Sequence, residues 1–300
     1  MDGDCHADSC GKVVETIMKM DVSVITVTHE SEEFIADQIL SVATSAIHTN
    51  YEQIIVDNAS CDGTAKLIRE GYTQYTRLIE NRKNEGFAAA NDLAVKRAKG
   101  RYLLFLNPDM RMEIGSLDKI VAWMDERPEV GIAGCKLLDR DGYANEELHP
   151  RRFPPFLCNL AYFFTFKRSS FAKRLFHYLE FDTEKEQEVD SVRGAFMLVR
   201  REVVEKLGRA FDLRYFLLIE DLDFCREVKD LGYKVVYTPV ITCTDWFHRS
   251  FLHHSRFWKH WQLSKSIWLY TVKWHPWHEV ALLSLAFPCG LFLRLLRPCK

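Results

Sequence analysis

Three apolar runs that each stop at carboxylates or an amide constrain this 300-residue chain more than any other feature. Ile54-Ile55-Val56 runs into Asp57-Asn58-Ala59-Ser60-Cys61-Asp62-Gly63, and Tyr102-Leu103-Leu104-Phe105-Leu106 into Asn107-Pro108-Asp109. Phe216-Leu217-Leu218-Ile219 leads into Glu220-Asp221-Leu222-Asp223, after a glycine-centred stretch, Val189–Arg201, that contains Gly194. Continuous apolar strands buried on both faces belong to parallel sheets, and ligands of open α/β sheets sit at the carboxyl ends of the strands. The pattern predicts a sheet whose tips carry a polar site.

The flanking segments agree. Val22 to Val27 is mostly β-branched and reads as a buried first strand, and residues 32–46 place Phe34, Ile35, Ile39, Leu40, Val42 and Ala43 at helical spacing. Helices over 64–70 and 88–98, the latter capped by Gly100, alternate with strands at 54–56, 78–80 and 102–106. This βαβαβ order predicts right-handed crossovers. A helix over 116–126, strands at 130–135, 191–200 and 234–237, and helices over 202–207 and 221–231 follow. Between 139 and 188, three prolines punctuate the chain and Phe163, Phe164, Phe166, Phe171 and Phe176 crowd its middle, marking an aromatic, partly helical insertion expected to be mobile.

Composition narrows the function classes. A formal net charge of −2 gives no reason to expect a nucleic-acid partner. Nine scattered cysteines without CxxC spacing argue against a zinc site or a disulfide framework and suit a reducing cytoplasm. No GxGxxG and no P-loop occurs, which excludes the usual nicotinamide oxidoreductase and P-loop NTPase readings of a βαβαβ start. The first twenty residues hold no apolar segment of signal-peptide length, so a loose tail over 1–20 and no export by that route are expected.

The C-terminal fifth differs in character. From 241 to 300, eight lysines and arginines stand against two acids, and six of the seven tryptophans lie there. Phe257, Trp258, Trp261, Trp268, Leu269 and Val272 fall largely on one helical face. Residues 280–296 are mostly apolar but broken by Pro288 and Gly290, and are short of the roughly 20 residues a span needs. Basic and aromatic residues together suit a headgroup region, so peripheral contact with the inner face of the cell membrane is expected; helices that close the core are the other reading.

The ordered set Asp57-Asn58-Ala59-Ser60-x-Asp62-Gly63, Asn84-x-Gly86-Phe87-x3-Asn91, Leu106-Asn107-Pro108-Asp109, Gly194 to Arg201, Phe211-Asp212, Glu220-Asp221-x-Asp223 and His248 resembles family 2 glycosyltransferases with the GT-A fold, most nearly their rhamnosyltransferase-like branch. The resemblance covers about Val22 to Ser250. It implies an α/β GT-A domain over 21–250, with a mixed, mostly parallel sheet flanked by helices, and a helical, membrane-associating segment over 251–300.

It also implies roles. Asp57 would accept the N3 proton of a pyrimidine base, although before Gly63 it also reads as a turn former. Thr28 would flank the nucleotide, while Asn84, Gly86 and Asn91 would contact nucleotide and ribose. Asp109 would bind Mg²⁺ or Mn²⁺, hard cations that use one or two carboxylates and keep waters. Asn107 stands where relatives carry a first carboxylate, and His248 would reach the metal or the diphosphate. Asp221 would act as general base with Glu220 positioning it or the acceptor, and Asp223 would cap or orient the following helix; an acidic helix N-terminus favoured by the dipole is the bland alternative.

The resulting expectation is an inverting, metal-dependent enzyme of the cytoplasmic leaflet. It would move a sugar, foremost L-rhamnose from dTDP-rhamnose, to a saccharide or lipid-linked acceptor. A non-catalytic nucleotide-sugar or glycan-binding relative is the rival.

Overall fold

A computed structural model describes residues 20–144, 146–165, 174–178, 180–246 and 255–295. Its first half is β1 (Val22–Thr28), α1 (Ile35–Ser45), β2 (Tyr51–Asp57), α2 (Thr64–Gly71), β3 (Arg77–Glu80), α3 (Phe87–Val95), β4 (Tyr102–Leu106), β5 (Met110–Met112) and α4 (Ser116–Asp125). The second half is β6 (Val130–Leu138), α5 (Phe156–Thr165), β7 (Gln187–Glu188), β8 (Phe196–Arg200), α6 (Arg201–Leu207), α7 (Glu220–Asp230), β9 (Lys234–Asp245), α8 (Arg256–Trp274) and α9 (Trp277–Leu295).

One sheet runs in the order β3-β2-β1-β4-β8-β6-β9-β5, with β7 added on β9. Strands β3, β2, β1 and β4 are mutually parallel, as the alternation with helices requires. β8 enters antiparallel between β4 and β6, and β6 pairs parallel with β9. The tips of β1, β2 and β4 therefore open toward the same edge as the start of β8.

Both faces of the sheet are covered. On β4, Leu104 and Leu106 join a cluster with Leu117, Ile120 and Met124 of α4, while Leu103 and Phe105 join the opposite one with Ala90, Phe211 and Phe224. That alternation is the period of two of a strand buried on both sides. Phe211 packs edge-on against Phe105, with ring centroids 4.8 Å apart. Burying such a ring contributes roughly 1.5–3 kcal/mol.

Two local expectations change. α3 ends at Val95, and Gly100 serves close packing instead of a cap: a Cβ there would stand 2.3 Å from Ser23 N. The insertion is built into the domain where it is described. Arg151 bridges both Ser191 and His177, and Cys158 and Phe176 are buried.

The C-terminal helices also pack on the domain. Leu263, Ile267 and Tyr270 of α8 and Leu283 of α9 share a core with Cys158 of α5 and Leu222 of α7. Among the described residues no helix is long and apolar enough to cross a membrane.

Candidate active site

A cavity of about 850 Å³ lies at the strand tips. Its wall on the β1–β4 side includes His29, Asn58, Asp62, Asn84, Gly86, Asn107 and Asp109, with Asp245 beside Asp109, and its other wall Arg151, Arg193, Gly194, Glu220 and Asp221. Phe216 and Trp258, in edge-to-face contact at 5.8 Å, also line it.

The first wall is a knot of amide and carboxylate bonds. Asn58 donates to Asn84 Oδ1 at 2.9 Å and to the Gly86 carbonyl at 3.2 Å, and accepts from Asn81 Nδ2 and Glu85 N at 3.0 Å. Gly86 has φ +86°, and a Cβ there would stand 2.5 Å from Phe216 O. Only glycine combines that backbone with so close an approach. The approach lets Phe87 N donate to Phe216 O at 2.8 Å, joining the two walls.

Asn84, Gly86, Asn107, Asp109, Glu220 and Asp221 come together on the cavity surface. Thr28, Asp57 and Asn91 do not line it. Asp57 is buried, with Oδ1 accepting from Thr28 Oγ1 at 3.0 Å and from Ser60 Oγ at 2.6 Å. Asn91 is buried and donates to Phe87 O. These three brace the loops that present Asn58 and Asn84. His248 lies outside the described residues.

Sequence reasoning passed over Asn58, Arg151 and Asp245 as site residues. Asn58 and Asp245 carried the same signal as the residues that were found, a polar side chain at the end of an apolar run. β9 continues to Asp245, well past the expected 237, and pairs with β5. Trp246 N donates to Asp109 O at 3.0 Å, so the Asp109 and Asp245 segments run side by side.

At the start of α7 two adjacent carboxyls diverge. Asp221 Oδ2 accepts from Arg151 Nη2 at 2.5 Å and from Gly194 N at 2.9 Å, and Oδ1 accepts from Leu222 N at 2.8 Å. Burial pushes the Asp221 carboxyl upward, but Arg151, Arg193 and the Gly194 N–H outweigh it and hold it below the usual range. Glu220 has Oε2 buried without a hydrogen bond, and burial with the neighbouring Asp221 charge raises its pKa. Their surroundings push the two carboxyls in opposite directions, a division suited to proton transfer. The approach to α7 is strained, since Leu218 and Ile219 both have φ +72°. Such a backbone costs on the order of 1–3 kcal/mol per residue and is concentrated at functional sites.

Asp223 does not cap α7. It is fully buried and accepts from Lys273 Nζ and Trp274 Nε1, both at 2.6 Å. Arg200 and Arg201 point away from the cavity to backbone carbonyls, among them Val130 O and Gly100 O.

Comparison with known proteins decides the family. Residues 23–208 match the family model described as Glycosyl transferase family 2. The chain belongs to glycosyl transferase family 2. Among its relatives, the putative teichuronic acid biosynthesis glycosyltransferase TuaG of Bacillus subtilis (strain 168) is 34% identical over 124 residues, which cover 40% of this chain and 49% of that protein. Rhamnosyltransferase WbbL of Escherichia coli (strain K12) is 24% identical over 249 residues, 79% of this chain and 89% of WbbL. The chain thus spans about half the length of TuaG, and less of some other curated relatives. The fold matches that of the mannosyltransferase PcManGT from Pyrobaculum calidifontis, solved with GDP-Man and Mn²⁺, at a TM-score of 0.56 and 18% identity over 91% of this chain and 72% of that one.

Proposed function

We propose that this family 2 member transfers a sugar from a nucleotide-diphosphate donor to an acceptor hydroxyl with inversion, with Asp221 as general base. The observation that carries this reading is the geometry at the start of α7, where Asp221, held by Arg151 and the Gly194 N–H, stands beside Glu220 in a cavity shared with Asp109. An acceptor hydroxyl must lose its proton as it attacks the anomeric carbon, and a carboxylate held ionised in the cavity wall can take it. Glu220 would orient the acceptor or the donor sugar.

A divalent cation suits the opposite wall. Asp109 and Asp245 offer hard oxygen donors there, a chemistry that fits Mg²⁺ or Mn²⁺ rather than Zn²⁺. Among the described residues no group of three His, Cys, Asp or Glu gathers to hold an ion alone. Phosphate oxygens and waters would complete the shell, with Asp109 as the protein ligand, and the bound cation would neutralise the departing diphosphate. Arg193 lines the cavity beside Gly194 and would add positive charge toward the same phosphates.

The rhamnosyltransferase relative favours dTDP-L-rhamnose as donor, with a UDP-hexose as the substitute. The test is release of nucleoside diphosphate from a panel of dTDP- and UDP-sugars with Mn²⁺ or Mg²⁺. Turnover with one donor and its loss in EDTA are expected; no turnover with any donor would favour a binding relative.

A saccharide or lipid-linked acceptor at the cytoplasmic leaflet accords with the apolar surface of α9, where Trp277 is 81% and Leu285 75% exposed. Substituting both by Ser should release the protein from vesicles containing anionic lipid, measured by co-sedimentation. Unchanged sedimentation would remove the membrane reading. Truncation at 273 is a poorer test, because it also strips Asp223 of both partners.

A further inference from the structure

Among the described residues of the insertion over 139–188, Arg151 enters a buried ion pair with the acid proposed as base. It is 8% exposed, and its Nη2 stands 2.5 Å from Asp221 Oδ2. The backbone pins it from both sides. Arg151 N donates to Ser191 O at 2.9 Å, and Arg151 O accepts from Ser191 N at 3.1 Å and Ser191 Oγ at 3.0 Å. Its guanidinium lies over the Phe176 ring, 5.6 Å from the centroid. A residue fixed by a backbone bridge, a ring and a salt bridge has little freedom to swing toward substrate.

We propose that Arg151 is a positioning residue for the transfer reaction: it clamps Asp221 Oδ2 against the Gly194 N–H, so that the carboxylate keeps one orientation and its negative charge. The inference rests on the reading of Asp221 as base. Planar guanidinium is suited to this, because it stays charged when buried and directs its N–H groups rigidly. The charged groups facing Asp221 are Arg151 from the insertion, Arg193 from the approach to β8, and Glu220 from α7 itself. Asp245 and Glu147 act on Arg193 from the far side, and burial with the Arg151 charge lowers the Arg193 pKa to about 10. Arg151 is the first of the groups that hold Asp221 ionised. Without it, Asp221 would gain its proton at higher pH.

The consequence reaches beyond one side chain. Arg152 N donates to Phe176 O at 2.8 Å, so Arg152 and Phe176 are tied to the base through Arg151 as one structural unit. An acceptor that docks on these two residues would act on the base through Arg151.

The experiment follows donor hydrolysis, nucleoside diphosphate released with water as acceptor, across roughly pH 3 to 8, which spans a carboxyl held below its ordinary value of about 4 and one released above it. The donor is whichever dTDP- or UDP-sugar the panel selects. R151M should move the acidic limb of the profile upward by roughly one pH unit or more and cut turnover at least ~10-fold. The nucleotide-induced rise in melting temperature should stay. R151K, which keeps the charge, should restore the limb. If R151M does not fold, R151Q reads the same limb with a neutral donor in place. A limb unmoved in the neutral variants overturns the inference. D221N separates the two claims: if it turns over like wild type, the base assignment itself falls, whereas an inactive D221N with an unmoved R151M limb removes only the role of Arg151.

Discussion

Replacing Asp221 by Asn should lower sugar transfer by about 10²- to 10⁴-fold, the range that loss of a general base brings, while nucleotide binding persists. The substitution is nearly isosteric, but it removes the charge that faces Arg151. Asp221 accepts three N–H groups, from Arg151, Gly194 and Leu222. An amide can offer only one oxygen to them, and its NH₂ must face a donor whichever way it turns. Some loss of stability accompanies the loss of turnover. The nucleotide wall, Asn58, Asn84 and Gly86, lies across the cavity and is untouched. Thermal shift by dTDP or UDP should therefore match wild type, which a collapsed site would not allow. A binding relative would show no sugar transfer in either protein and the same nucleotide-induced thermal shift in both.

Lys273→Met should be the most destabilising single change outside the cavity. Lys273 Nζ reaches Asp223 at 2.6 Å and Glu227 at 2.7 Å, with Asp212 at 3.7 Å, and these three carboxylates are 0%, 11% and 7% exposed. Breaking a buried ion pair by removing one partner costs about 3–5 kcal/mol. At roughly 2–4 °C per kcal/mol, a fall in melting temperature of about 6–20 °C follows. The pH dependence has a definite sign. Burial already raises the Asp223 pKa in spite of Lys273 and Trp274, and loss of the lysine raises it further. A carboxyl whose folded pKa lies above its unfolded value costs nothing while both states are protonated. The cost grows as pH rises from the unfolded value near 4 toward the folded one. The K273M deficit should therefore be smallest in acid and fully developed at neutral pH, as denaturant melts at pH 4 and pH 7 would show. An equal deficit at both would mean that Asp223 is not the group involved.

These two sites also show what the sequence could tell. Strand tips were legible because the signal is local: an apolar run fixes the strand, and its last residue must be polar to meet solvent or ligand. Asn107, Asp109, Glu220 and Asp221 were read that way, while Asn84 and Gly86 came from the family resemblance alone, and all six line one cavity. Asp57 carried the same signal but turns inward, because Thr28 and Ser60 supply hydroxyls that hold it. No pattern in the Asp57 run announces that choice. Contacts across long separations left no trace. Arg151 meets Asp221 across 70 positions and Lys273 meets Asp223 across 50. Both arginine and lysine read as ordinary surface charge until the fold buries them. The C-terminal helices were read from tryptophan content and basic charge as a membrane segment. The other reading, helices that close the core, describes α8, which packs behind α7 where Leu222 meets Leu263 and Ile267.

The central claim is that Asp109 and Asp221 face one nucleotide-sugar across a single cavity, with the cation on the Asp109 side. The most direct measurement is a crystal structure with Mn²⁺ and the dTDP or UDP that raises the melting temperature, read by anomalous scattering. The account predicts a manganese peak in coordination distance of Asp109, about 2–2.3 Å, bridging to the diphosphate, with Asp221 Oδ2 still on Arg151 across the cavity. A nucleotide bound elsewhere, or manganese with no bond to Asp109, would contradict it.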